Sequence, residues 1–108
     1  MNDQRGLARR DAATAASKIR EHFPHARVFL FGSAARGTDD AGSDLDLCVV
    51  LDVGSRREIE IAREISRELH TLVRRPLDVV VYDEAAFDER AALPLTLESE
   101  VAEEGVVL

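Results

Sequence analysis

A Gly-Ser pair, Gly32-Ser33, is followed after ten residues by Asp44 and Asp46 in an Asp-x-Asp pair, and another carboxylate, Asp78, opens a later apolar run. Two aspartates at i and i+2 of an extended chain project to one side, with Cα atoms about 6 to 7 Å apart, close enough to share one or two divalent cations. A third carboxylate on a neighbouring strand completes an all-oxygen donor set. Such a set suits Mg²⁺ or Mn²⁺ better than Zn²⁺, and no His or Cys is spaced to compete. Clustered carboxylates repel one another, so the group makes most sense with a cation bound for part of a working cycle. Gly32 ends a strand-like run and lets backbone approach a ligand closely. Ser33, starting a helical turn, offers its hydroxyl and nearby free N–H groups to phosphate oxygens. Arg36, three residues on, reaches a terminal phosphate and neutralises charge on a leaving pyrophosphate.

An isolated Asp-Leu-Asp is more often turn chemistry than a metal site. The spaced combination is another matter: a 108-residue chain of this composition produces Gly-Ser, ten residues and Asp-x-Asp by chance about 0.002 times. His22, His25 and His70 are dispersed, without ligand spacing, and read as surface residues. Cys48 falls on the aspartate side of its strand and reads as a buried small apolar residue rather than a nucleophile. Tyr82 shares that side and borders either the core or a nucleotide base. Asp83 falls on the face opposite Asp78 and is the poorer third ligand.

These residues need a scaffold. The stretch from Asp3 to Phe23 places Ala12, Ala15, Ala16, Ile19 and Phe23 near helical spacing, and Pro24 closes it. Val28 to Phe31 reads as a strand ended by Gly32, and residues 33–43 as a polar turn. Asp44 to Leu51 is a strand with Leu45, Leu47, Val49 and Leu51 on one face. Arg56 to Arg74 is a helix with Ala62, Ile65, Leu69 and Leu72 inward, and Leu77 to Tyr82 is a third strand. Pro94 to Glu104 reads as a last helix, with Gly105 as its C′ residue and Val106 to Leu108 as a short edge strand. A compact turn makes the first two strands antiparallel, whereas the helix between the second and third makes those parallel. The expected fold is α/β (α+β), one domain over residues 1–108, with a small mixed sheet of three to four strands flanked by helices. One sheet end then collects Gly32, Ser33, Asp44, Asp46 and Asp78.

With 21 acidic against 14 basic residues and a net charge of −7, the chain is unsuited to holding nucleic acid by general phosphate attraction. Part of that charge is the aspartate patch, which bound Mg²⁺ would offset. One cysteine allows no internal disulfide, no leader pattern is visible, and the longest apolar run, Leu47 to Leu51, is strand-length. A cytoplasmic protein without membrane attachment is expected.

The segments Phe31-Gly32-Ser33-Ala34-Ala35-Arg36-Gly37, Ser43-Asp44-Leu45-Asp46-Leu47 and Leu77-Asp78-Val79-Val80 resemble the DNA polymerase β superfamily of nucleotidyltransferases. More narrowly, they resemble its minimal nucleotidyltransferase (MNT) group, by motif over residues 20–83. The resemblance implies a polymerase β palm-like fold. It also implies transfer of a nucleoside monophosphate, AMP from ATP, with Asp44, Asp46 and Asp78 holding two Mg²⁺ ions. Gly32, Ser33 and Arg36 would grip the triphosphate, and Asp78 doubles as the candidate base. Members of this group pair with helical HEPN toxins. The resemblance therefore further implies a hetero-oligomer in which the chain, as antitoxin of a type VII-like pair, adenylylates a tyrosine of its partner (AMPylation). Two other functions suit the same residues: a non-catalytic antitoxin that neutralises its partner by binding, and the catalytic subunit of a small-molecule, antibiotic-type nucleotidyltransferase.

Overall fold

A computed structural model describes residues 4–32 and 44–108, with side chains from residue 9 onward. Its elements follow in the order α1 (Gln4–His22), β1 (Arg27–Phe31), β2 (Leu45–Leu51), α2 (Glu58–His70), β3 (Leu77–Asp83), α3 (Glu84–Ala91), α4 (Leu97–Glu104) and β4 (Val106–Val107). The sheet order is β3-β2-β1-β4. β1 is antiparallel to both β2 and β4, and β2 is parallel to β3. The mixed sheet and both strand orientations agree with the sequence reading, as does the short C-terminal edge strand.

Strand alternation divides the core in two. Val28, Leu30, Leu45, Leu47, Val49, Leu51 and Val81 face one way and pack under Ala12, Ala15, Ala16 and Ile19 of α1 and Ile61, Ala62, Ile65 and Leu69 of α2. The other face carries Phe29, Cys48 and Val50, covered by Phe87 of α3 and Val101 of α4. Phe87 stacks on Phe29 with ring centroids 5.9 Å apart and meets Tyr82 at 5.8 Å. The guanidinium of Arg27 lies 5.6 Å from the Phe87 ring centre and pairs with Asp88 at 2.9 Å, tying α3 to the start of β1.

Three elements differ from their expected form. α2 stops at His70, about one turn short of Arg74, so Leu72 is exposed and Val73 takes the core position. The chain must turn there to begin β3 level with β2, and the Leu45 N–H donates to the Pro76 carbonyl at 2.8 Å to open the parallel ladder. α3 has no counterpart in the sequence reading because Phe87 is its one buried side chain, which leaves no periodicity to detect. α4 begins at Leu97 rather than Pro94, capped by Thr96, whose hydroxyl accepts from the Ser99 N–H at 3.0 Å. Gly105 follows it with extended backbone rather than in a left-handed cap.

Asp83 has a structural task. Its carboxylate caps α3 by accepting from the Ala86 N–H and also accepts from the Val53 N–H at 3.3 Å. Asp83→Ala is expected to destabilise the protein by about 1–2 kcal/mol, measured by urea unfolding, because both orphaned N–H groups lose an acceptor.

Candidate active site

The site is built by strand register. Phe31 of β1 pairs with Asp46 of β2, and Asp46 pairs with Asp78 of β3, so the three residues form one row across three adjacent strands. In-register neighbours on parallel strands share a face, and strands lie about 4.8 Å apart, so Asp46 and Asp78 are adjacent carboxylates on one side of the sheet. Asp44 lies two residues before Asp46, just outside β2, and is exposed like Asp78, whereas Asp46 is half-buried. Beyond this row the same face turns apolar through Cys48, Val50 and Tyr82. The acidic end is thus the open end of a face otherwise closed by α3 and α4.

Gly32 joins β1 directly to this row. Its φ is +74°, in the left-handed region, and a Cβ placed on it would collide with the Asp46 carboxylate. Glycine adopts this φ without penalty, and any side chain here would push the Asp46 carboxylate aside. Ser33 and Arg36, read from the sequence as phosphate contacts, lie outside the described residues.

Among the described residues no group of three His, Cys, Asp or Glu side chains is assembled closely enough to hold a metal ion. The backbone nevertheless brings Asp44, Asp46 and Asp78 to one end of one face, and their donor set is entirely oxygen, the chemistry of Mg²⁺ or Mn²⁺ ligation. Like charges in register repel, which keeps such side chains apart when no cation lies between them. The histidines stay outside this site: His22 pairs with Glu68 at 3.7 Å, and His25 and His70 are exposed. The solvent face of α2 mixes both charges, with Arg56, just before the helix, and Glu64 3.3 Å apart. No helix among the described residues is long and apolar enough to cross a membrane.

Cys48, two residues beyond Asp46, is fully buried. Burial pushes its thiol up to about 12, helped by the nearby Glu98 carboxylate and opposed by Arg27. Glu98 is itself buried and held by Arg90 at 2.6 Å. Burial likewise raises the Tyr82 phenol, again with Glu98 adding to the rise. The Cys48 thiol is therefore a packing group, in agreement with the sequence reading. Between pH 9.0, the ordinary thiol value, and about 12, the unfolded chain loses a proton that the folded chain keeps. Stability should fall with rising pH across that window, by as much as about 1.4 kcal/mol per pH unit. Cys48→Ala is expected to flatten the decline in urea titrations. In the native protein at pH 8, iodoacetamide should label Cys48 only as fast as the chain unfolds.

Sequence reasoning found the acidic row but not the contact between Gly32 and Asp46, which no local signal encodes. It also passed over the exposed leucines between α3 and α4, although the run Leu93-Pro94-Leu95-Thr96-Leu97 shows a leucine at every second position.

The fold recurs in known structures. A proposed nucleotidyltransferase from Sulfolobus solfataricus superposes with a TM-score of 0.66 at 22% identity, covering 96% of this chain and 81% of that one. The Cid1 poly(U) polymerase, crystallised with Mg and 3′-dATP, superposes with a TM-score of 0.58 at 21% identity, covering 94% of this chain and 37% of the polymerase. Among curated proteins, none matches the sequence. The nucleotidyltransferase domain model matches residues 13–108, a span that includes Gly32, the Asp44/Asp46 pair and Asp78, and the chain belongs to that family.

Proposed function

We propose that the protein transfers AMP from ATP to a hydroxyl group in a Mg²⁺-dependent reaction, and that the acceptor is a tyrosine of a helical HEPN-type partner which it neutralises in the cytoplasm. The observation that carries the chemistry is the register row: Asp46 opposite Asp78, with Asp44 two residues away on the chain. Membership of the nucleotidyltransferase family supports transfer from a nucleoside triphosphate. The acceptor and the antitoxin role rest on the resemblance to the MNT group.

In this reading Asp44 and Asp46 would hold the divalent ions, with Asp78 completing one set of ligands, and ions held there would supply charge neutralisation on the triphosphate. The acceptor oxygen forms a bond to the α-phosphorus, the bond to pyrophosphate breaks, and the hydroxyl proton passes to the Asp78 carboxylate. Gly32 brings backbone to the triphosphate, and Ser33 and Arg36 contact its oxygens.

Incubation with ATP, Mg²⁺ and the cognate HEPN protein is expected to add about 329 Da per transfer to a partner tyrosine, read by mass spectrometry. An unmodified partner overturns the reading of the acceptor. The competing reading is that of a non-catalytic antitoxin which neutralises its partner by binding. The Asp44→Ala/Asp46→Ala variant separates the two, since continued protection of cells by that variant means that binding alone suffices.

A further inference from the structure

Charge is unevenly distributed along the chain. Residues 84–104 contain seven carboxylates and one basic residue, Arg90, whereas the remainder, aspartate row included, is close to neutral. Glu98 is buried against Arg90 and Asp88 pairs with Arg27, while Glu84, Glu89, Glu100, Glu103 and Glu104 are exposed. Most of the net charge of the protein therefore lies on the α3–α4 hairpin.

The same hairpin exposes its three leucines. Leu93, Leu95 and Leu97 are 52%, 103% and 44% exposed, and Leu95 has φ +65°. A leucine in the left-handed region is disfavoured and is kept there only when its surroundings hold it. Here they do: the Thr96 hydroxyl shares its one proton between the Arg90 and Leu93 carbonyls, at 2.9 and 3.1 Å, and accepts from the Ser99 N–H, clamping the residues on either side of Leu95. A shallow groove of about 460 Å³ runs beside it, with Leu95 and Leu97 on its apolar side and Glu100, Glu103 and Glu104 on its acidic side.

We propose that the α3–α4 hairpin is a docking surface for a protein partner that presents an apolar side chain flanked by arginine or lysine. Charge complementarity selects this occupant. A second copy docking through the same face would bring the same carboxylates and be repelled, and so would nucleic acid or an anionic membrane. Leu95 supplies the rigid apolar anchor and the glutamates supply orientation and steering. None of these residues belongs to the aspartate row, so the surface does not depend on the transfer chemistry.

Three fluorescently labelled 16-residue peptides test it, each titrated against the full-length protein without nucleotide. One is an amphipathic Leu/Lys peptide, one has its Leu replaced by Ser, and one has its Lys replaced by Glu. The Leu/Lys peptide is expected to bind at least tenfold more tightly than either other peptide, with amide shifts confined to residues 84–104. Leu95→Ser and Glu100→Lys/Glu103→Lys should each weaken it at least tenfold. Leu95→Gly relieves the backbone strain, so it should raise the thermal midpoint by a few degrees and still lose binding, a combination that a residue kept for folding would not show. Equal binding of the Leu-free peptide, shifts elsewhere on the protein, or a dimer that Leu95→Ser dissociates would each overturn the proposal.

Discussion

Asp46→Asn is expected to lower kcat/KM for nucleotidyl transfer by at least about 1,000-fold, because a neutral amide in the middle of the row cannot hold the ion that the flanking carboxylates share. Asp78→Asn should act as severely, since it removes both a ligand and the proposed proton acceptor. Folding should respond in the other direction. Asp78 is exposed and stands in register with another carboxylate, so losing its charge should leave stability unchanged or raise it by up to about 1 kcal/mol. Mg²⁺-ATP is expected to raise the thermal midpoint of the wild type and to leave that of Asp46→Asn where it was. Transfer by Asp46→Asn within tenfold of wild type would refute a metal-holding role for the row.

Gly32→Ala is expected to damage both folding and transfer. At φ +74° the added methyl group carries a backbone cost of about 1 kcal/mol, and it also collides with the Asp46 carboxylate, which must move. Displacing a ligand by about 1 Å is enough to cost about 100-fold in rate. Gly54 provides the matching control: its φ is +61°, but nothing lies within 4 Å of an added Cβ. Gly54→Ala should therefore lose a similar increment of stability in urea unfolding and keep full activity. If both variants keep full activity, the contact between Gly32 and Asp46 has no part in the chemistry.

Much of the fold was legible because its strands alternate cleanly. Asp44 to Leu51 places Leu45, Leu47, Val49 and Leu51 on one face and Asp46 and Cys48 on the other, and the structure buries the leucine face under α1 and α2 as that pattern requires. α2 was legible from Ala62, Ile65 and Leu69, to which the structure adds Ile61. Its end was not: Leu72 continues the helical spacing, but the crossover has to turn before it, and local periodicity carries no information about where the next strand must begin. α3 was illegible for another reason, since a helix resting on one phenylalanine has no stripe. Asp83, ranked from the sequence as the poorer third ligand because of its face, proves to hold the start of that helix.

For the candidate site, residue type and spacing singled out Gly32, Asp44, Asp46 and Asp78 as candidates, and the geometry of the Asp44/Asp46 pair was legible because the pleat of a single strand sets an i, i+2 spacing. What only the tertiary structure decided is which residues stand opposite one another. A shift of one residue between β2 and β3 would have put Asp78 on the far face from Asp46, and that register follows from the packing of both sheet faces and the length of the crossover. Exposure was decided at the same level. Leu93, Leu95 and Leu97, which the sequence reading passed over, stand in solvent because Thr96 ties down the loop and Phe87 and Val101 already fill the face beneath.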